Sequence, residues 1–150
     1  MDVGARPAEV ADVAALVELA RAARLEQSEQ RGGRLLMARH CRPEPLDVAF
    51  AEAVGDPTTG LWAGTIDGAP VGYALVSADD DVAVIEELHV HPEGRAVGVG
   101  EALLDLIVAW AGERSCSGID AFALPGARET KNFFETFGMT ARLLVLHRDL

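Results

Sequence analysis

The run Leu88-His89-Val90-His91-Pro92-Glu93-Gly94-Arg95-Ala96-Val97-Gly98-Val99-Gly100-Glu101 carries an apolar strand pattern into a glycine-bearing turn that opens a helical pattern. A helix start leaves backbone N–H groups unpaired and presents the positive end of the helix dipole, so phosphate oxygens are held there without buried cations. Gly98 and Gly100 have no Cβ, which lets backbone approach a ligand and adopt dihedrals that other residues resist. Two nucleotide motifs are set aside. No G-x-x-x-x-G-K-[ST] run occurs, and Gly98-Val99-Gly100 lacks the third glycine of a dinucleotide fingerprint, Leu103 standing in its place.

Immediately upstream, Glu86 and Glu87 interrupt an apolar stretch. Carboxylates are rarely buried without partners, so a pair of them inside a strand is a candidate for acid–base chemistry, its pKa raised by partial burial. Adjacent residues of a regular strand point to opposite faces, which leaves open which glutamate faces a cleft. His89 shares parity with Glu87, while His91, next to Pro92, belongs at the surface. His40 and Cys41 are adjacent without further ligands at metal-binding spacing, so no metal site is expected.

The elements that must position these groups read as a mixed α/β chain. Asp2 to Arg6 suits a first strand, and residues 8 to 24 a helix with Val10, Val13, Val17 and Ala20 on its stripe, widened by Leu16 and Leu19. Gln27 to Arg42 reads as a basic loop containing Arg31, Arg34, Arg39 and Arg42, followed by a short helix from Leu46 to Val54. Leu61 to Ile66 and Val71 to Ser77 flank Asp67-Gly68-Ala69-Pro70, a hairpin signal. After a polar turn over Ala78 to Asp81, Val82 to Val90 is apolar on both parities, as in a central strand covered on both faces. The helix from Val99 to Ala111 places Val99, Ala102, Leu103, Leu106, Ile107 and Trp110 on one face, with Glu101 and Asp105 wetter. Gly118 to Leu124 predicts a fifth strand, Arg128 to Thr136 a helix, and Ala141 to His147 a last strand.

Arg95-Ala96-Val97-Gly98-Val99-Gly100 matches the [Gln/Arg]-x-x-Gly-x-[Gly/Ala] motif of the GCN5-related N-acetyltransferase (GNAT) superfamily. Phe133-Phe134-Glu135-Thr136-Phe137-Gly138-Met139 is similar to that family's later Phe-Tyr-Glu-x-x-Gly-Phe pattern, in the right order and at the right separation. The resemblance implies a mostly antiparallel central sheet flanked by helices, with a bulged fourth strand splayed from the fifth and the pantetheine arm of acetyl-CoA in the gap. It implies acetyl transfer to the primary amine of a small molecule or peptide. Leu88, His89 and Val90 would align the thioester, Arg95, Ala96, Val97, Gly98, Val99, Gly100 and Glu101 would cradle the pyrophosphate, Phe133 and Phe134 would pack the arm, and Glu86 or Glu87 would act as base. Phe134 replaces the family's frequent tyrosine acid, and Ala127 an asparagine that often bonds the arm. Those departures leave a CoA or acyl-CoA binder with little catalysis as the alternative. The basic loop, near which family acceptors enter, suggests an acceptor bearing a carboxylate or phosphate.

One hundred and fifty residues with a net charge of −11 and a pI near 4.7 suit one globular domain and disfavour nucleic acid as partner. No membrane-spanning run or leader pattern is read, and two cysteines without a scaffold pattern fit a cytoplasmic protein. The apolar tail Leu143 to Leu146 is a weak reason to expect a homodimer.

Overall fold

The computed structural model describes residues 1–78 and 80–150. The elements run β1 (Val3–Pro7), α1 (Val13–Ser28), α2 (Gly33–His40), α3 (Leu46–Gly55), β2 (Thr59–Ile66), β3 (Ala69–Ser77), β4 (Val82–Val90), α4 (Val99–Glu113), β5 (Gly118–Asp120) and α5 (Arg128–Thr136). Short 3-10 turns at Val10–Asp12 and Pro92–Gly94 introduce α1 and the approach to α4. The five strands form one sheet in the order β1-β2-β3-β4-β5, antiparallel except for the parallel β4–β5 pair. This is the mixed, mostly antiparallel α/β sheet that the sequence predicts.

Alternation along β3 divides the interior. Tyr73 and Leu75 face α1 and α3, packing with Leu16, Ala20 and Phe50, while Ala74 and Val76 face α4 with Leu103 and Ile107. The predicted stripe of α1 is correct at Val13, Leu16, Val17 and Ala20, but Val10 lies in the preceding 3-10 turn and is 70% exposed.

β4 is where the two layers become a site. Leu75 pairs with Glu87 and Val76 with Ile85, so Glu86 is the additional residue of a bulge. Ala83 and Ile85 therefore point to the α4 side, whereas after the bulge Glu87 and His89 stand on the α1 side opposite Leu75 and Tyr73. β5 accompanies β4 only from Val82 to Val84. Beyond that the two strands are splayed, and the β4 edge from Ile85 to Val90 has no strand beside it among the described residues.

Three expectations are corrected. Residues 33–40 form α2 rather than part of a loop, because Leu35, Leu36, Met37 and Ala38 favour helix once Gly32 takes the left-handed conformation at its start (φ 79°). β5 is shorter than predicted, its pairing with β4 ending at Asp120. The strand predicted over Ala141 to His147 does not form on this sheet; residues 139–150 have no regular secondary structure. The turn expected over residues 78–81 includes Asp79, which lies outside the described residues.

Candidate active site

A cavity of about 710 Å³ opens between the splayed strands, roofed by α1 and α2 and floored by the starts of α4 and α5. Glu86, Glu87, Leu88, His89 and Val90 all line it. So do Arg95, Ala96, Gly100 and Glu101 at the entrance to α4, and Phe133 with Phe134 on α5. The predicted cluster is thus brought to one place, with three exceptions. Val97, Gly98 and Val99 do not line the cavity; Val99 is buried in the core at 1% exposure and Val97 faces outward at 38%.

The question of which glutamate faces the cavity resolves as both, because the bulge turns consecutive side chains to one face. Each carboxylate is gripped by a forked guanidinium. Arg42 donates from Nε and Nη2 to Glu86 at 3.2 and 3.0 Å, and Arg24 donates likewise to Glu87 at 3.3 and 2.9 Å. The buried hydroxyl of Tyr73 donates to Glu87 Oε1 at 2.8 Å. Arg24 also donates from Nη1 to the carbonyl of Arg42 at 2.8 Å, which ties α1 to the segment entering α3. Burial, with the Glu87 charge next, pushes the Tyr73 phenol well above its ordinary value, so it stays protonated and keeps donating. Burial likewise raises the nearby Cys41 thiol to about 11, against nucleophilic thiolate chemistry there.

His89 differs. It sits across from Tyr73 in the β3–β4 ladder, its ring 6.2 Å from the phenol ring and half-buried at the cavity wall. Burial, and next the positive charge of Arg95, lower its pKa, so the imidazole is neutral around pH 7. His91 is exposed as predicted, and its Nδ1 accepts from the backbone N–H of Glu93 at 3.2 Å.

At the floor, Gly98 caps α4 with φ 103° and no side-chain hydrogen bond. The first amide to bond back is that of Ala102, to the Gly98 carbonyl at 3.0 Å. The N–H groups of Val99, Gly100 and Glu101 therefore have no partner within the helix. Arg95 closes the approach by donating from Nε to the Val90 carbonyl at 2.8 Å, with Ala96 at φ 65° turning the chain. Gly100 serves a second purpose: a Cβ there would lie 3.0 Å from the Phe133 ring, so it permits α5 to pack on α4. The start of α5, capped by Ala127 without a side-chain hydrogen bond, borders the same cavity. Among the described residues no group of three or more His, Cys, Asp or Glu side chains could hold a metal ion.

Sequence reasoning missed Arg24, Arg42 and Tyr73 as partners of the glutamates. The available signal was the demand for cations that two part-buried carboxylates create; what hid it was the distance along the chain, 63 residues from Arg24 to Glu87.

A model of the acetyltransferase (GNAT) family matches residues 17–139, which include the bulged strand, the start of α4 and the α5 block. The chain belongs to that family. A curated relative, the mycothiol acetyltransferase of Stackebrandtia nassauensis, is 32% identical over 78 residues, a match covering 52% of this chain and 26% of that protein. The aligned stretch thus spans about a quarter of the relative's length. Solved GNAT-like structures agree over the whole fold at low identity. The structure of AAC(6')-Iy in complex with a bisubstrate analogue, CoA-S-monomethyl-acetylneamine, superposes with a TM-score of 0.72 at 17% identity, covering 100% of this chain and 99% of that one. The PaiA N-acetyltransferase of Thermoplasma acidophilum, in complex with coenzyme A, gives 0.74 at 13% identity over 91% and 89% of the two chains. These likenesses establish the GNAT fold.

Proposed function

We propose that this chain transfers the acetyl group of acetyl-CoA directly to the primary amine of a small molecule or peptide. The observation that carries the reading is that one cavity joins Gly100 and Glu101, whose N–H groups have no partner within α4, the unaccompanied edge of β4, and the neutral imidazole of His89. The residues present fit acetyl-CoA. The amides of Gly100 and Glu101 suit pyrophosphate oxygens, the β4 edge from Leu88 to Val90 suits the amides of the pantetheine arm, and Phe133 and Phe134 give its methylenes an apolar wall.

Acetyl-CoA brings a thioester carbonyl to the β4 edge. The amine forms a C–N bond to that carbonyl carbon as the C–S bond breaks, and the amine's proton needs an acceptor. His89 takes that role in preference to either glutamate, because the Glu86 and Glu87 oxygens are already engaged by Arg42, Arg24 and Tyr73. The two glutamates are positioning residues that hold the bulge, and with it His89, in place. Proximity within a ternary complex supplies much of the rate. Phe134 carries no hydroxyl, so the leaving thiolate takes its proton from water in the open cavity.

Two departures favour a second reading, a CoA binder with little turnover: Phe134 lacks an acidic group, and Ala127 lacks a side chain able to bond the arm. Calorimetric titration with acetyl-CoA, followed by thiol release across an amine panel, separates the readings. Saturable binding with amine-dependent release supports the enzyme, binding without release supports the binder, and no binding overturns both. The exposed Arg31, Arg34 and Arg39 on α2 and its approach are the remaining candidates for recognising an anionic acceptor, Arg42 being engaged by Glu86.

A further inference from the structure

With acetyl-CoA on the β4 edge and at the starts of α4 and α5, the acceptor is left the wall of the cavity on the α1 side, where His89 also stands. That wall is built from Ala23, Glu26 and Gln27 on α1, neighbours on one helix face, with Gln30 just beyond the helix end and Leu36 of α2. Glu26 is the only charged residue that α1 and α2 give to the cavity among the described residues.

The other acids of the cavity are committed elsewhere. Glu86 and Glu87 are held by Arg42 and Arg24. Glu101 and Glu129 lie in the first turns of α4 and α5, on the cofactor side, where the helix dipole favours a negative charge. The Glu26 side chain is 52% exposed, and its Oε2 stands 3.7 Å from Arg95 Nη2, beyond hydrogen-bonding distance. Arg95 has a closer contact of its own, the 2.8 Å bond from Nε to the Val90 carbonyl. Burial and then Arg95 lower the His89 pKa, and the Glu26 charge is the first of the groups that oppose them, so this carboxylate and the imidazole share one electrostatic neighbourhood.

We propose, on the acetyl-transfer reading above, that the acceptor is a diamine: one amine meets the thioester beside His89, and the second, carried as an ammonium, is bound by Glu26. The carboxamide oxygens of Gln27 and Gln30 add acceptors for its N–H groups on the same wall. A chain of net charge −11 also draws cations toward its clefts. Arg31, Arg34 and Arg39, which would suit an anionic acceptor, do not line this cavity; Arg31 borders a separate pocket with Pro125, Gly126 and Ala127.

The test titrates the CoA-loaded protein calorimetrically with butane-diamine, butylamine and γ-aminobutyrate, which share one amine and end in an ammonium, a methyl and a carboxylate. Pentane- and hexane-diamine cover longer spans. Wild type is expected to bind its best diamine about fivefold more tightly than butylamine, the upper range for a half-exposed ion pair, and γ-aminobutyrate more weakly than either. Glu26→Gln should bring the diamine-to-butylamine ratio close to unity, and Glu26→Lys should make γ-aminobutyrate bind more tightly than the diamine. The position is exposed, so both variants keep the fold, checked by circular dichroism. Equal binding of the three ligands by wild type overturns the proposal, as does a diamine preference that survives Glu26→Gln. Thiol release from acetyl-CoA with the same amines reads the transferase separately: diamine binding that depends on Glu26 but brings no release leaves the diamine site standing and overturns the acetyl-transfer reading.

Discussion

The Tyr73 hydroxyl donates to Glu87 Oε1 at 2.8 Å from a side chain with no solvent exposure. A neutral donor on β3 thereby fixes the first carboxylate after the β4 bulge. Tyr73→Phe keeps the ring packing against Phe50 and removes only that bond. Hydrogen bonds to charged groups contribute about 1.5–3 kcal/mol, and a loss of that size in urea unfolding is expected.

Arg24 and Glu87 have side chains only 12% and 8% exposed. Arg24→Met leaves the carboxylate without its counter-charge, and breaking a pair this dry costs roughly 3–5 kcal/mol. Arg24→Met combined with Glu87→Gln removes both charges while keeping a carbonyl oxygen to accept from Tyr73, and is expected to recover most of that loss in the same denaturation experiment.

A neutral His89 base gives an acid limb in the pH dependence of kcat/KM. Because burial and Arg95 lower its pKa, the midpoint of that limb in free enzyme is expected below about 6.5, the ordinary histidine value. His89→Gln should lower kcat roughly 100-fold or more and flatten the limb. Glu26, His91 and Glu87 also act electrostatically on the ring, so Glu26→Gln, which removes a nearby negative charge, should shift the midpoint further down without flattening the profile. A limb that survives His89→Gln would assign the proton to another group.

Acid stability has a separate source at the other end of the sheet. Arg6 donates to both carboxylate oxygens of Asp12, at 2.7 and 2.8 Å, and the Glu9 backbone N–H donates as well; the Arg6 bonds foremost hold Asp12 at about 2. A carboxyl depressed on folding stabilises the native state above its unfolded pKa, and that contribution disappears as pH falls through the folded value. The difference in urea midpoint between wild type and Asp12→Asn should be constant near neutrality and shrink from about pH 4 to pH 2.

Gly98 has φ 103° and open space where a Cβ would stand, the nearest atom being Val3 Cγ1 at 3.8 Å. Gly98→Ala therefore tests backbone strain without a clash. A loss of roughly 1–2 kcal/mol in stability is expected, with weaker acetyl-CoA binding if the α4 amides tilt to relieve it.

Much of this architecture was legible because its signals are local. The Asp67-Gly68 turn, shorter than the 67–70 stretch that signals it, separates β2 from β3 with Gly68 at φ 82°, and the spacing of Val99, Leu103 and Ile107 announces the face of α4. α2 was obscured because the glycines and arginines around it read as loop, although Leu35 to Ala38 are good helix formers. The glutamates were ambiguous for a different reason: strand parity depends on where a bulge falls, and the Leu75/Val76 register shift is a property of two strands together. The Ala141 to His147 segment has strand composition, but composition does not say which edge a strand will find.

The bulge at Glu86 also sets how this strand tolerates change in length. Residues before it present alternate side chains to α4, and residues after it do so with the opposite phase. Removing one residue at Glu86 would bring the two phases into step. Leu75 already pairs with Glu87 and Val76 with Ile85, so Glu87 and His89 would keep the side facing α1, and Leu88 and Val90 the side facing α4. Shortening the strand at this one position would thus leave the chemical character of both faces as it is, removing only the carboxylate that Arg42 holds and the kink that turns the edge outward.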